Sequence, residues 1–470
     1  MRSRSRDFSA REIPAGLAPS EGWLVVQAVA LVAFSSWAFG GVVEWAQNAL
    51  LGFALAGLPL LWLRHRESRE FSVRPFVPAL LWLGFNAMAV FNPSHTPAAA
   101  GGWMPRAGWI PWLPTTVDVS HTLADARVWL AILVEAGLVA ALLRTARAAR
   151  LIWGAIALNG FALAATGAFF HFSGAERMLG SVDTPEPTYF FATFFYKNHW
   201  AAYGALAAFA ATALALQAWP AALTGDPRAR GRLALFGAAG LLTAVTLPLP
   251  GSRAGALMAA TLVAGFLGSL CLGWWRTRRA RLPRLVLGFA LLGAVGIVAF
   301  GANAYGPRAA VDLDRTRTQL AQHLDGERLD TRVLASRDTW RMAVQRPWFG
   351  WGPGCFEVVF PVFQGNYLRG PDGRAQARFE FAHNDWLQLL AEAGFIGAAL
   401  LLAPVALVAR RAWRRADPAG RWALVGCGVV AAHGWIDFPF HNPAVLLLWA
   451  AMLAAAPRAF PASASDGPPN

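Results

Sequence analysis

Charge is scarce in this chain. Only 14% of its 470 residues are Asp, Glu, Lys or Arg, while 56% are hydrophobic; a soluble domain carries about 25% charged residues. That balance excludes a soluble globular enzyme, a disordered chain and a fibrous one, because a core of ordinary size cannot hide so much apolar surface. Cysteine is nearly absent. Cys271, Cys355 and Cys427 are scattered with no pair at metal-ligand spacing, which speaks against a disulfide framework and a zinc site. Lysine is rarer still: of 41 basic residues forty are Arg, and Lys197 is the single Lys. The sequence has no internal repeat of clear period and no carboxylate cluster of the kind a divalent cation wants.

What the chain has instead is long apolar runs. A helix needs about 20 apolar residues to cross the hydrocarbon core of a membrane. Twelve stretches are candidates, of which 75–91, 421–436 and 443–456 are short: 23–43, 46–63, 75–91, 128–143, 151–172, 200–218, 233–250, 254–275, 285–304, 387–408, 421–436 and 443–456. The predicted fold is an all-α polytopic membrane protein, with about twelve transmembrane helices and a small periplasmic helical subdomain between spans 9 and 10. The organisation that follows is a cytoplasmic N-terminal tail (1–22), spans 1–9 (23–304), the periplasmic loop subdomain (305–386), spans 10–12 (387–456) and a disordered cytoplasmic tail (457–470). Within the loop subdomain, 309–324 has helical apolar spacing. A second helix is expected over 330–345, ending before Pro347, whose ring removes a backbone donor.

The net charge of +14 would, in a soluble chain, point to nucleic acid. Sorting it by side removes that reading. With the N-terminus inside, the cytoplasmic pieces hold 25 Arg against 8 acids, whereas 305–386 holds 11 Arg against 10 acids. The excess lies on one side, as the positive-inside rule requires, and no free basic domain is left over. The segment 92–127, with Trp103, Trp109 and Trp112 among Gly and Pro, suits a loop at the headgroup level.

Polar residues beside membrane spans are expensive and usually functional. Five clusters fall on the outer side of this topology. They are Phe195 to Trp200, Gly251 to Gly255, Arg337 through Trp340 to Gly354, Phe381 to Gln388, and His433 through Asp437 to Pro443. Each has a plain structural reading. Lys197 and His199 suit a helix end at the interface. Arg253 suits a snorkelling turn residue. Asn384 or Asp385 suits a helix N-cap. His433 and Asp437, four residues apart, suit a pair on one helix face. Glu135 and Glu392, within spans, suit buried and partnered acids. What favours chemistry is the convergence of all five clusters on one face. Arginine offers a permanent charge and a forked donor set matched to phosphate. A neutral histidine can take a proton from a sugar hydroxyl. These parts together suit glycosyl transfer from a lipid pyrophosphate, whose leaving group needs no metal.

The motifs resemble those of the O-antigen ligase and O-antigen polymerase superfamily of bacterial inner-membrane glycosyltransferases. The resemblance rests on Lys197-Asn198-His199, Ser252-Arg253-Ala254-Gly255, the run from Arg337 to Gly352, His383 to Gly394, and the stretch from His433 to Pro443. Phe39 to Trp45 is similar to the family's first outer turn, and the most specific region is 190–443. The resemblance implies a donor glycan on undecaprenyl pyrophosphate, and an acceptor that is a glycan, lipid A-core or a protein side chain. Its other partners would be membrane lipids, with no nucleic acid. It implies no metal or other cofactor, and inversion at the anomeric carbon. By position, Arg253 and Arg337 would hold the pyrophosphate and His383 would activate the acceptor. Lys197, His199, Asn384, Asp437 and His441 would shape the site. Lys197 stands where the family's pattern carries Arg, and Arg341, one turn from Arg337, is the other arginine that could serve. The rival class is a transporter or flippase of lipid-linked oligosaccharide. Such proteins tend to carry repeats and midplane polar residues rather than clusters at one face.

Overall fold

The computed structural model of the protein describes residues 16–69, 72–98, 102–184, 190–277, 331–365, 367 and 379–460. Span 285–304, the stretch 309–324, and residues 1–15 and 461–470 of the expected tails (1–22 and 457–470) lie outside these residues.

Helix starts are set by polar or proline residues at the junctions between apolar runs. Helices α1 (Pro19–Trp37), α2 (Glu44–Ala56), α3 (Pro59–Ser68) and α4 (Val77–Phe91) come first. Then follow α5 (Val119–Leu142), α6 (Ala146–Phe172), α7 (Lys197–Leu223), α8 (Pro227–Thr246) and α9 (Arg253–Thr277). Asp118, Thr145 and Asp226 cap α5, α6 and α8 by accepting from first-turn amides, satisfying donors that would otherwise have no partner. After the undescribed residues come α10 (Thr331–Gln345), α11 (Phe356–Phe363), α12 (Asp385–Arg415), α13 (Pro418–His433) and α14 (Pro443–Ala459).

The described part is an all-α membrane protein. Six helical segments are long and apolar enough to cross a bilayer, by length and composition: Glu44–Ser68, Arg74–Phe91, Ala146–Phe172, Lys197–Leu223, Arg253–Leu272 and Asp385–Arg415. Eleven of the twelve apolar stretches fall on helices, and the twelfth, 285–304, lies outside the described residues. Two boundaries differ from expectation. The first stretch is helical only to Trp37, because Phe39 and Gly40 both take left-handed φ (58° and 68°) and turn the chain. The loop expected over 92–127 ends early, since Asp118 starts α5 at Val119. Before it lies a short hairpin, His95–Pro97 against Trp103–Pro105.

The centre is α7. Twenty-one of its residues are buried, mostly Ala and Gly, so neighbouring helices approach it closely. A second, smaller core gathers Ala335 and Met342 of α10 with Phe356 and Phe360 of α11, Val117 and Ala391. This small helical unit is fastened to the membrane helices by a hook. Trp351 N and Gly352 N donate to Ala391 O and Glu392 O, and Phe395 N and Ile396 N donate to Pro347 O and Trp348 O. The hook closes on Gly394, where α12 is interrupted at φ 64°. A Cβ there would sit 2.4 Å from the Trp348 backbone, so only glycine fits. The Trp-Phe-Gly-Trp-Gly run of 348–352 thus has a docking role of its own.

Candidate active site

Four of the five polar clusters meet through Asp437, which follows the end of α13 and is 1% exposed. The α7 cluster reaches it first. Tyr196 is the extended residue before α7; its hydroxyl donates to Asp437 Oδ2 at 3.2 Å. Asn198 Nδ2 donates to the same oxygen and to Tyr196 Oη, the latter at 2.9 Å. The second cluster arrives through Asn198 Oδ1, which accepts from Ser252 Oγ at 2.6 Å. Ser252 Oγ in turn accepts from Gly255 N at 2.9 Å, capping α9 and setting Arg253 at the first position of that helix, exposed. Gly255 is obligatory: a Cβ there would lie 2.3 Å from Leu247 O. The spacing of Ser252-Arg253-Ala254-Gly255 is therefore explained by a cap, an exposed cation at a helix N-terminus and a close helix–backbone approach.

The third cluster supplies His383. Its Nδ1 lies 3.4 Å from Asp437 Oδ1, and its side chain is 21% exposed. With the ring proton on Nδ1, the carboxylate fixes the tautomer and leaves Nε2 able to accept a proton. His383 adopts φ 51°, one of five left-handed non-glycine residues among those described. The neighbouring hydrogen bonds hold that backbone: Ala382 N to Gln388 Oε1 at 2.9 Å, Leu387 N to the Asn384 cap at 3.0 Å, and Asp385 N to Gly434 O at 2.8 Å. Asn384 is thus the helix N-cap its sequence position indicated.

The fourth cluster adds His433, whose Nε2 stands 3.9 Å from Asp437 Oδ2, and Phe438, whose ring is a hub. Phe438 stacks on Phe381 (4.6 Å) and on Tyr196 (5.1 Å), and meets the edges of His383 (4.9 Å) and His199 (5.2 Å). Burial pushes the Asp437 carboxyl up, but the His383 hydrogen bond and the charges of Arg332 and His433 prevail and hold it at about 2. Burial and the Asp437 charge push the Tyr196 phenol up, so it stays a donor.

The arginine of α10 that reaches this centre is Arg332, which sequence reasoning missed among the eleven arginines of its segment. Its Nη2 lies 3.9 Å from Asp437 Oδ2 and its Nη1 donates to Ile436 O at 3.3 Å. Arg337 and Arg341 instead flank the buried Asp338, at 3.6 and 3.3 Å, and each is at least half exposed. At about 100° per residue, Arg337 points about 140° around the helix from Arg332. The only available signal for Arg332 was its place in the first turn of a helix expected to begin at 330.

A second histidine–carboxylate pair lies beside the first. His441 Nδ1 meets Asp385 Oδ1 at 2.6 Å, and Asp385 Oδ2 accepts from Phe440 N at 2.9 Å. Burial lowers the His441 imidazole, but Asp385, with Glu392 and Asp125, raises it above its ordinary value. This pair lines a cavity of about 710 Å³, whose wall also includes Asp125, Glu392 and His199. Lys197, the first residue of α7, is half-buried.

Residues 238–402 match the family model described as O-antigen ligase. This region belongs to the O-antigen ligase superfamily. The match spans about a third of the chain and supports, in general terms, a glycosyltransferase of the O-antigen ligase and polymerase type. The match takes in Arg253, Arg332, Arg337 and His383 and stops before Asp437 and His441. No curated protein matches the chain. Hydrogen bonds to Asn198 and Asp437 nevertheless tie the flanking segments to this ligase-family region.

Proposed function

We propose that the protein transfers a glycan from undecaprenyl pyrophosphate to an acceptor hydroxyl at the periplasmic face of a bacterial inner membrane, with both chain termini in the cytoplasm. The acceptor is another glycan, as in a polymerase, or lipid A-core, as in a ligase. His383 Nε2 takes the proton of the acceptor hydroxyl. The acceptor oxygen forms its bond to the anomeric carbon as the bond to the pyrophosphate oxygen breaks, and the configuration inverts. Asp437 orients the imidazole and stabilises the positive charge it gains. Arg253 and Arg337 hold the departing pyrophosphate, and the N-terminus of α9 adds its partial positive charge beside Arg253. The reading calls on no metal, because a pyrophosphate is already a good leaving group.

The observation that carries this reading is the contact of His383 Nδ1 with Asp437 Oδ1 at 3.4 Å, joined through Asn198 and Ser252 to the turn that bears Arg253. The proposed base and the helix end proposed to receive the anion thus share one bonded network. The test is complementation of a deletion strain. His383→Ala and Arg253→Ala are each expected to abolish surface polysaccharide at a normal protein level. Normal polysaccharide in either variant overturns that residue's role. In the deletion strain itself, a polymerase defect leaves single capped repeat units, whereas a ligase defect leaves long polymer on the lipid carrier. Lipid-linked units stranded on the cytoplasmic side would instead mean transport.

A further inference from the structure

The cavity beside the second histidine–carboxylate pair has a chemistry opposite to that of the arginine side. Its volume, about 710 Å³, lies within the range of small-molecule sites, about 300–1,000 Å³. Its wall includes the carboxyl groups of Asp125, Asp385 and Glu392. Aromatic rings, notably Phe381, Phe440 and Trp386, and aliphatic side chains such as Leu401, Val405 and Leu446 complete a mostly apolar wall. Among the described residues neither Arg nor Lys lines it. With neither Arg nor Lys in its lining, the wall offers a phosphate group no cation to balance its charge. It suits hydroxyl groups, because a carboxyl group gives hydroxyls hydrogen-bond partners in either protonation state. Aromatic faces suit the C–H faces of sugar rings.

A second observation points to an occupant. His199 lines the cavity, is 8% exposed, and its Nε2 is buried with no hydrogen-bond partner. A buried polar atom left alone is costly, and a ligand hydroxyl would satisfy it. The cavity also adjoins the reacting centre. Phe438 forms part of its wall, and the same ring packs against His383 at 4.9 Å.

We propose that this cavity is a carbohydrate subsite that takes neutral, hydroxyl-rich sugar units of a substrate, while the pyrophosphate stays outside it on the arginine side. The inference rests on the glycosyl-transfer reading and deepens it. The molecule separates its two ligand chemistries in space. Anions go to the end of α9 and to α10. Sugar hydroxyls go to the pocket between α5, α12 and the segment 438–443.

Binding without turnover tests this. The purified full chain in lipid nanodiscs is titrated with neutral oligosaccharides released by mild acid from the surface polysaccharide of the producing bacterium, and read by saturation-transfer NMR. The expected result is a saturable signal, weakened at least tenfold by Asp125→Asn, and not displaced by inorganic pyrophosphate. His199→Gln provides a second arm should Asp125→Asn melt well below the parent. No saturable signal in the parent protein, affinity unchanged in well-folded variants, or displacement by pyrophosphate overturns the proposal. Adding the lipid-linked donor identifies the source of the sugar. Displacement by donor assigns the subsite to the donor glycan, and simultaneous binding assigns it to the acceptor. His383→Ala is included because it separates the two readings. Lost transfer with binding intact leaves the subsite standing, while transfer intact without any oligosaccharide binding removes the subsite alone.

Discussion

Two histidine–carboxylate pairs cross between the same two segments, yet they sit in opposite fields. His383 takes its carboxylate from Asp437, and His441 takes its carboxylate from Asp385. The Phe381–Phe438 stack lies between them, touching His441 on one side and His383 on the other. The first pair has Arg332 and the Ser252–Asn198 bond to α9 behind it. The second faces a cavity with Glu392 and Asp125 in its wall. On the proposed reading, identical side-chain chemistry serves two tasks set by its neighbours. The His383 hydrogen bond and the charges of Arg332 and His433 keep Asp437 ionised, so that it can orient the His383 ring. An acidic surround favours a charged, donating His441.

The sharpest break of this comparison is to remove each imidazole. His383→Ala is expected to lower the transfer rate by about a hundredfold to ten-thousandfold, the range for loss of a general base. His441→Ala should cost less in rate and act on the KM for the glycan, because its pair faces the sugar-binding cavity. Single-turnover rates on lipid-linked donor separate the two effects. An equal fall in rate for both variants would mean that the two pairs act in one proton path, and would end the division of labour.

The pairs should also respond to pH with opposite signs. Asp437 is held at about 2 in the folded state, against an ordinary value of 3.8. Its stabilisation is fully present above the ordinary value and is lost as pH falls through about 2, so melting should be insensitive to this group between pH 5 and 8. The groups facing it are His383, Arg332, His433, Tyr196 and Asn198, the last two donating hydrogen bonds. His441 is raised above 6.5 by Asp385, Glu392 and Asp125. Its stabilisation is fully present below 6.5 and declines as pH rises through its raised folded value. Thermal melting in nanodiscs should therefore fall on the alkaline side, and Asp385→Asn should flatten that slope. An unchanged slope in that variant would show that another group is responsible.

Much of this arrangement was legible in the sequence. Hydrophobic runs located the helices, because a bilayer demands about 20 apolar residues per crossing whatever the tertiary contacts. His383, Arg253, Asp437 and His441 were legible because polar residues beside spans are rare enough to stand out. Pairing was not legible. The four-residue spacing of His433 and Asp437 pointed to a partnership, and the two side chains do stand 3.9 Å apart, although helix α13 ends at His433. What spacing could not show is that Asp437 also bonds Asn198 and His383, 239 and 54 residues away. The Trp-Phe-Gly-Trp-Gly run looked like part of the chemistry, but its backbone docks on α12 around Gly394. Arg332 was hidden by composition: in a chain whose basic residues are nearly all arginine, one more arginine carries no signal.

The smallest expected effect concerns that arginine. Arg332 is 45% exposed and stands 3.9 Å from Asp437, and a solvent-screened pair of this kind contributes roughly 0–1 kcal/mol. Arg332→Ala should thus lower the rate only a few-fold, leave the KM for donor nearly unchanged, and raise the Asp437 carboxyl slightly. Arg337→Ala, if that side chain holds the pyrophosphate, should raise the KM for donor with little change in the pH profile. The contrast matters because the two residues lie on one helix, five positions apart, and point about 140° away from each other. Should Arg332→Ala instead match the loss of His383→Ala and weaken pyrophosphate binding, Arg332 would be the residue that touches the leaving group. The first pair would then have its anion site within reach of its own carboxylate, rather than across the helix from it.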